Sequence, residues 1–225
     1  MKNILVVAAH PDDEILGCGA TIAKFAKQGS KVNILIVSEG ITSRDKFRDI
    51  KKRHNQILKL RKSAKLSAKK IGAKSINFLS FPDNRLDSVP LLEIIKNIES
   101  FIFKFKPDTI FTHSSHDLNI DHLITNKATL TACRPIPNST IKKILAFEIL
   151  SSTEYNPNSK FKPNYFVDID KFLNKKINSL KEYKSEMRGW PHPRSIKSVK
   201  NLAEYRGSNI GIKYAEAFEL LRYIS

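Results

Sequence analysis

A chain of 225 residues with 41% hydrophobic and 27% charged residues and no low-complexity stretch can bury a substantial core, which excludes a disordered, fibrous or collagen-like protein. Its 39 Lys and Arg against 22 Asp and Glu leave a formal charge of +17, so attraction to a polyanion has to be considered. Two cysteines, Cys18 and Cys133, are too few for a disulfide framework and suit a reducing cytoplasm.

Asn3 to Ala9 is a continuous apolar run ending at His10-Pro11; it reads as a strand buried on both faces, as in a parallel sheet, and is too short for a signal peptide or a membrane span. The segment from about Gly17 to Gln28 reads as a helix that stops at Gly29, and Lys31 to Val37 as a second buried strand. Strand, helix and strand make a right-handed βαβ opening. A long basic helix over about 45–71, a strand at 76–81 and a helix over about 89–105 follow. Next come a strand at 109–113, a helix from Asp121 to Cys133 and a strand at 144–150. The last third is less regular, with a short strand at Tyr165–Ile169, a helix over about 170–184 and the loop RGWPHPRS at 188–195. The Pro and Asn residues of 156–164 read as a loop rather than a boundary, because too little chain follows to form a second core. The expectation is a single domain over 1–225 with a Rossmann-like, doubly wound, mostly parallel α/β sheet and helices on both faces.

In such sheets ligands bind beyond the carboxyl ends of the strands. Three polar clusters fall there: His10–Glu14, Ser38–Arg44 and His113–His122. The first packs one imidazole and three acids into five residues directly after an apolar strand, costly to bury unless a divalent cation neutralises it. The bland alternative is an exposed turn capping the next helix. The second His-rich cluster, HSSHDLNIDH, holds three of the six histidines and adds weight to a metal site. Gly17 and Gly19 do not make a dinucleotide fingerprint, since a third glycine is missing and the acids would repel a pyrophosphate; close helix packing is their expected use.

AHPDDEILGCGATI, HSSHDLNIDH, SEGITSR, HPRS and RGSNIGIKYAEAF resemble the sequences of LmbE-like or PIG-L-type N-acetylglucosaminyl deacetylases, over nearly the whole chain. The resemblance implies His10, Asp13 and His122 as ligands of a metal, usually Zn2+, and Asp12 as general base, which would take a proton from water and return it to the leaving nitrogen. Iron, cobalt or nickel would also suit these ligands. Some family members carry His where this chain has Asn119, which can donate a hydrogen bond to an oxyanion but cannot supply a proton. That leaves the acid role to Asp12, or to His192 or His116, each of which could equally make a plain structural hydrogen bond. Glu14 either supports a ligand or starts the helix; Asp121 could orient an imidazole, and His113 could lie behind the ligands. Arg44, His116 and Arg194 are candidates for substrate contact.

The implied substrate is an N-acetylated amino sugar or glycoconjugate, with membrane contact only if it is lipid-linked; N-formyl sugars are the close variant, and a second subunit could complete the pocket. Between Arg44 and Lys70, twelve basic residues meet only Asp45 and Asp49. They read first as a solvated helix face and second as a surface for a phosphate-bearing substrate or an anionic membrane. A non-catalytic nucleic-acid-binding protein is the alternative from another class, unsupported by any recognition motif, so no nucleic acid is expected; a metal phosphoesterase is a third.

Overall fold

The computed structural model describes residues 1–225. Seven strands form one sheet in the order β3-β2-β1-β4-β5-β7-β6, where β1 is Asn3–Ala8, β2 Lys31–Ser38, β3 Ser75–Phe81, β4 Thr109–His113, β5 Lys143–Phe147, β6 Tyr165–Asp168 and β7 Ala215–Tyr223. The first five strands are mutually parallel, and β7 runs antiparallel to both β5 and β6. The helices are α1 (Asp13–Lys27), α2 (Ile50–Ile71), α3 (Leu91–Phe105), α4 (Ile120–Ala132), α5 (Leu173–Leu180) and α6 (Ile196–Ser208).

Side-chain alternation along β1 builds both cores. Ile4, Val6 and Ala8 enter the larger apolar cluster with residues of α1, α2, α5 and α6, while Leu5 and Val7 enter a smaller one with α3 and α4. The expected mostly parallel sheet with helices on both faces is therefore present. No helix is long and apolar enough to cross a membrane. Both cysteines are buried and free.

Three expectations needed correction. Helix α1 begins at Asp13, not near Gly17, so the acidic cluster is itself the first helical turn, where carboxylates meet free N–H groups and the positive end of the helix dipole. The last third holds two further elements, α6 and the nine-residue β7, which pairs with both β5 and β6. Strand β7 carries Glu216 and Glu219 on inward-facing positions, which breaks the apolar signature of a buried strand. The long basic helix starts at Ile50, where Asp49 caps it by accepting from the Lys52 N–H at 2.9 Å.

The order of strands reverses between β1 and β4, which opens a crevice beyond their carboxyl ends. His10 leaves β1 there, and His113 ends β4.

Candidate metal centre and active site

Four segments converge on that crevice. After β1 the chain turns at Pro11 and Asp12, and Asp12 adopts φ +116°, a left-handed conformation that costs a non-glycine residue about 1–3 kcal/mol. The strain is held by the surroundings: the Asp12 N–H donates to Glu14 Oε2 at 3.0 Å, and Glu14 Oε1 accepts from the Tyr183 hydroxyl of the α5–α6 segment. Glu14 is fully buried, and burial pushes its carboxyl up to about 8 against these hydrogen bonds. Glu14 thus braces the turn of Asp12 as well as opening the helix.

Three atoms that could hold a metal ion converge. His10 Nδ1 lies 3.2 Å from Asp13 Oδ2 and 3.3 Å from His122 Nε2, and His122 Nε2 lies 3.2 Å from Asp13 Oδ2. Ligands about 2.0–2.1 Å from a tetrahedral zinc stand roughly 3.3 Å apart, so the three atoms already have the spacing of one face of a zinc coordination sphere. Their outer partners fit as well. His10 Nε2 faces Asp121 Oδ2 at 3.0 Å and Asp83 Oδ1 at 3.3 Å, and His122 Nδ1 faces Asp117 Oδ2 at 3.1 Å. With each neutral ring giving its far N–H to a carboxylate, both near nitrogens present lone pairs to the same point as Asp13. Asp13 Oδ1 is buried without a partner.

The electrostatics favour a cation. Burial opposes charge on His122, but Asp13 and Asp117 outweigh it and hold the ring at about 9. Burial likewise works against the charged form of Asp13, yet His122 and His10 keep its carboxyl well below the usual range. A pocket that draws protons this strongly draws a divalent cation by the same field, with release of those protons.

Asp12 stands beside this centre. Burial pushes its carboxyl up to about 7, while Arg194 opposes the rise by donating to Oδ2 at 3.0 Å; Oδ1 is buried and unpartnered. His113 lies behind the ligands: its Nε2 accepts the Ala9 N–H at 2.8 Å, and its ring stacks on His122 at 4.0 Å between centroids. Burial and the neighbouring His122 keep it neutral, well below its usual pKa.

Above the centre opens a cleft of about 470 Å³, counting its mouth, lined by His10, Pro11, Asp12, Gly40, Ser43, Arg44, Asp83, Asn84, Asn119, Glu186 and Arg194, with no hydrophobic residue among them. Of the remaining candidates, Arg44 lines the cleft and is paired with Glu186 at 2.8 Å, and Arg194 is spent on Asp12 and Ser151. Asn119 caps α4, its Oδ1 accepting the Asp121 N–H at 2.9 Å, while its amide donates to Asn84. His192 is exposed and outside the cleft lining, its Nδ1 accepting the Arg194 N–H at 3.0 Å. His116 is also absent from the lining and is held by Ser159 and, at 3.4 Å, Glu219.

Asp121 does orient an imidazole, but the ring is His10 rather than its chain neighbour His122; a residue beside a ligand on a helix points away from it. The carboxylate on His122 is Asp117, itself fixed by the Ser152 hydroxyl at 3.0 Å and that of Thr153 at 2.6 Å. Asp117 was visible as the remaining acid of HSSHDLNIDH, and Asp83 as an acid just past the end of β3. Tyr183 has no signal in the sequence at all.

Residues 5–133 match the family described as PIG-L: GlcNAc-PI de-N-acetylase, more than half of the chain. The chain belongs to the PIG-L family. Among its relatives is the uncharacterized deacetylase YaiS of Escherichia coli (strain K12), 28% identical over 190 residues, 82% of this chain and 91% of that protein. The diacetylchitobiose deacetylase of Thermococcus kodakarensis is 26% identical, over 98% of this chain and 84% of its own. The fold of this chain is shared by the N,N'-diacetylchitobiose deacetylase of Pyrococcus horikoshii, with a TM-score of 0.78, 23% identity and coverage of 98% of this chain and 84% of that one. GalB, the 4-carboxy-2-hydroxymuconate hydratase of Pseudomonas putida KT2440, has the same fold at a TM-score of 0.77, 23% identity and coverage of 100% and 98%. The fold therefore carries more than one reaction, and the site has to decide between them.

Proposed function

We propose that this PIG-L family protein is a metal-dependent hydrolase that removes an N-acetyl group from an amino sugar or sugar conjugate, with His10, Asp13 and His122 holding the cation. The observation that carries this reading is the convergence of three ligand atoms 3.2–3.3 Å apart beside the buried carboxylate of Asp12. Two imidazoles and one carboxylate suit zinc first. Bound there, a divalent cation supplies a Lewis acid for the acyl oxygen and lowers the pKa of water to about 7.

The protein's own groups do the rest. Asp12, with a carboxyl pushed up to about 7, takes a proton from the attacking water and returns it to the departing nitrogen, so that amide and water become acetate and amine. Arg194 occupies Oδ2, which leaves Oδ1 as the oxygen available for the transfer. Asn119 lines the cleft, and the second N–H of its amide is a donor for the developing oxyanion. Proton return through Asp12 alone requires neither His192 nor His116. The wholly polar cleft suits sugar hydroxyls, with Arg44, Ser43 and Asn84 as contacts, and the names of the curated sugar deacetylases among its relatives support the same substrate class. Free buried cysteines support a cytoplasmic setting.

The test pairs metal content by mass spectrometry with amine release from N-acetylated and N-formylated sugars, on wild type and on a His10→Ala, Asp13→Ala double variant. About one zinc per chain is expected in wild type, lost together with amine release in the variant. Wild type that binds no divalent metal, or frees no amine from any sugar, overturns the reading.

A further inference from the structure

Helix α1 is broken. Cys18 has φ −145° and ψ 18°, which separates the turn carrying Asp13 and Glu14 from the rest of the helix. In an unbroken helix the Ala20 N–H would donate to the Leu16 carbonyl. Here each end of that bond is met by a buried ion pair. Glu216 of β7 accepts the Ala20 N–H with Oε1 at 3.1 Å and the Thr21 N–H with Oε2 at 2.7 Å. Lys176 of α5 donates to the Leu16 carbonyl at 2.7 Å and to Glu216 Oε1 at 2.7 Å. The path from N–H through carboxylate and ammonium to carbonyl inserts an ion pair into one turn of the helix.

We infer that Lys176 and Glu216 are positioning residues: by splicing this break they set the orientation of the 12–17 turn that presents Asp12 and Asp13. The inference rests on the roles proposed for those two aspartates. Both charged groups are almost fully buried, Lys176 at 5% and Glu216 at 5% exposure, where an ion pair is a poor source of stability compared with apolar side chains of equal size. Its value lies in geometry. The Leu16 carbonyl and the Ala20 N–H are each held by a side chain anchored on a different element, so the turn is referenced to β7 and α5 as well as to its own helix. The glycines agree with a built break. A Cβ on Gly17 would meet the Phe147 ring at 2.3 Å, and one on Gly19 would meet Ile15 at 2.8 Å.

The test compares wild type with Lys176→Met/Glu216→Leu, which removes both side-chain anchors and leaves the 12–17 turn free to move at the break. Three readouts are taken: thermal unfolding, amide hydrogen exchange at Ile15 and Leu16, and the split between kcat and KM. Expected is a folded variant with a melting temperature near that of wild type, exchange at these two amides faster by about tenfold or more, and kcat lower by about 10–100-fold at nearly unchanged KM, the range for groups that orient a metal site. A folded variant with unchanged exchange and kcat overturns the inference. If the double variant does not fold, Glu216→Gln keeps the shape and one acceptor while removing the charge; faster exchange at Ile15 and Leu16 supports the inference and unchanged exchange overturns it. Should wild type prove to have no deacetylase activity, the proposed reaction falls, while the exchange comparison still decides whether the pair holds the turn.

Discussion

Replacing Asp12 by Asn removes the proton acceptor while leaving nearly everything else in place. Asn tolerates the left-handed backbone that Asp12 adopts at φ +116°, so the turn should persist. The ligand atoms of His10, Asp13 and His122 are untouched, and Arg194 keeps its bond to Ser151 at 2.8 Å. A positioned general base contributes about 10²–10⁴-fold, equivalent to roughly 3–5 kcal/mol of barrier. Asp12→Asn should therefore lower kcat by that factor with metal content unchanged, measured by amine release on protein whose metal has been counted. The wild-type pH profile is the companion assay. A base acts when ionised, so kcat/KM rises with pH through the pKa of Asp12; that value is about 7 without metal, and a cation beside it pulls it lower, placing the acid limb below pH 7. The limb should vanish in Asp12→Asn. A metal-loaded variant with kcat within tenfold of wild type would refute the assignment.

Two further outcomes are expected. Gly17→Ala places a methyl 2.3 Å from Phe147, whose ring lies edge-on to His113 at 4.8 Å, and His113 in turn stacks on His122; overpacking of about 1–3 kcal/mol should lower the melting temperature by at least about 2 °C and weaken zinc in a chelator competition, and an unchanged melt would contradict it. In metal-free protein, Asp12, Glu14 and His122 hold their protons in the folded state up to about 7, 8 and 9, above their ordinary values of 3.8, 4.5 and 6.5. The folded state binds these protons more tightly than the unfolded chain, so the stability they contribute is complete below the ordinary values and is lost as pH rises through the raised ones. Chelator-treated protein should melt at a lower temperature at about pH 9 than at about pH 6; equal melting at both would count against the buried carboxyls.

Much of this site was legible because its residues are local in sequence. His10 to Glu14 follow an apolar strand without interruption, and HSSHDLNIDH is a single segment ending a second strand, so composition and the strand-end rule found both. Pairing was less legible. Asp121 reads as a partner for an imidazole and meets one, that of His10 just past β1, whereas Asp117 shows in the sequence only as the remaining acid of HSSHDLNIDH, with nothing to say that it partners His122. His192 is a sequence candidate for the acid role because Asn119 cannot supply a proton, but in the fold Arg194 lines the cleft while His192 is exposed outside it. Strand β7 is hard to read because its buried glutamates look like surface residues until Lys176 and the broken helix are set against Glu216, and Ser114 and Lys162 against Glu219.

The amino-acid sequence alone determined the parallel half of the sheet and its helices, the placement of two polar clusters at strand ends, and the family resemblance that the PIG-L match upholds. Those properties depend on side-chain periodicity and on residues adjacent in the chain. Only the tertiary structure decided that Asp12 is strained and braced through Glu14 by Tyr183, that Asp117 and Asp121 serve different histidines, and that an ion pair from α5 and β7 splices α1. Most of these join groups distant along the chain, up to 196 residues for Ala20 and Glu216, and all depend on which buried polar atoms are left to satisfy one another once the hydrophobic layers have closed.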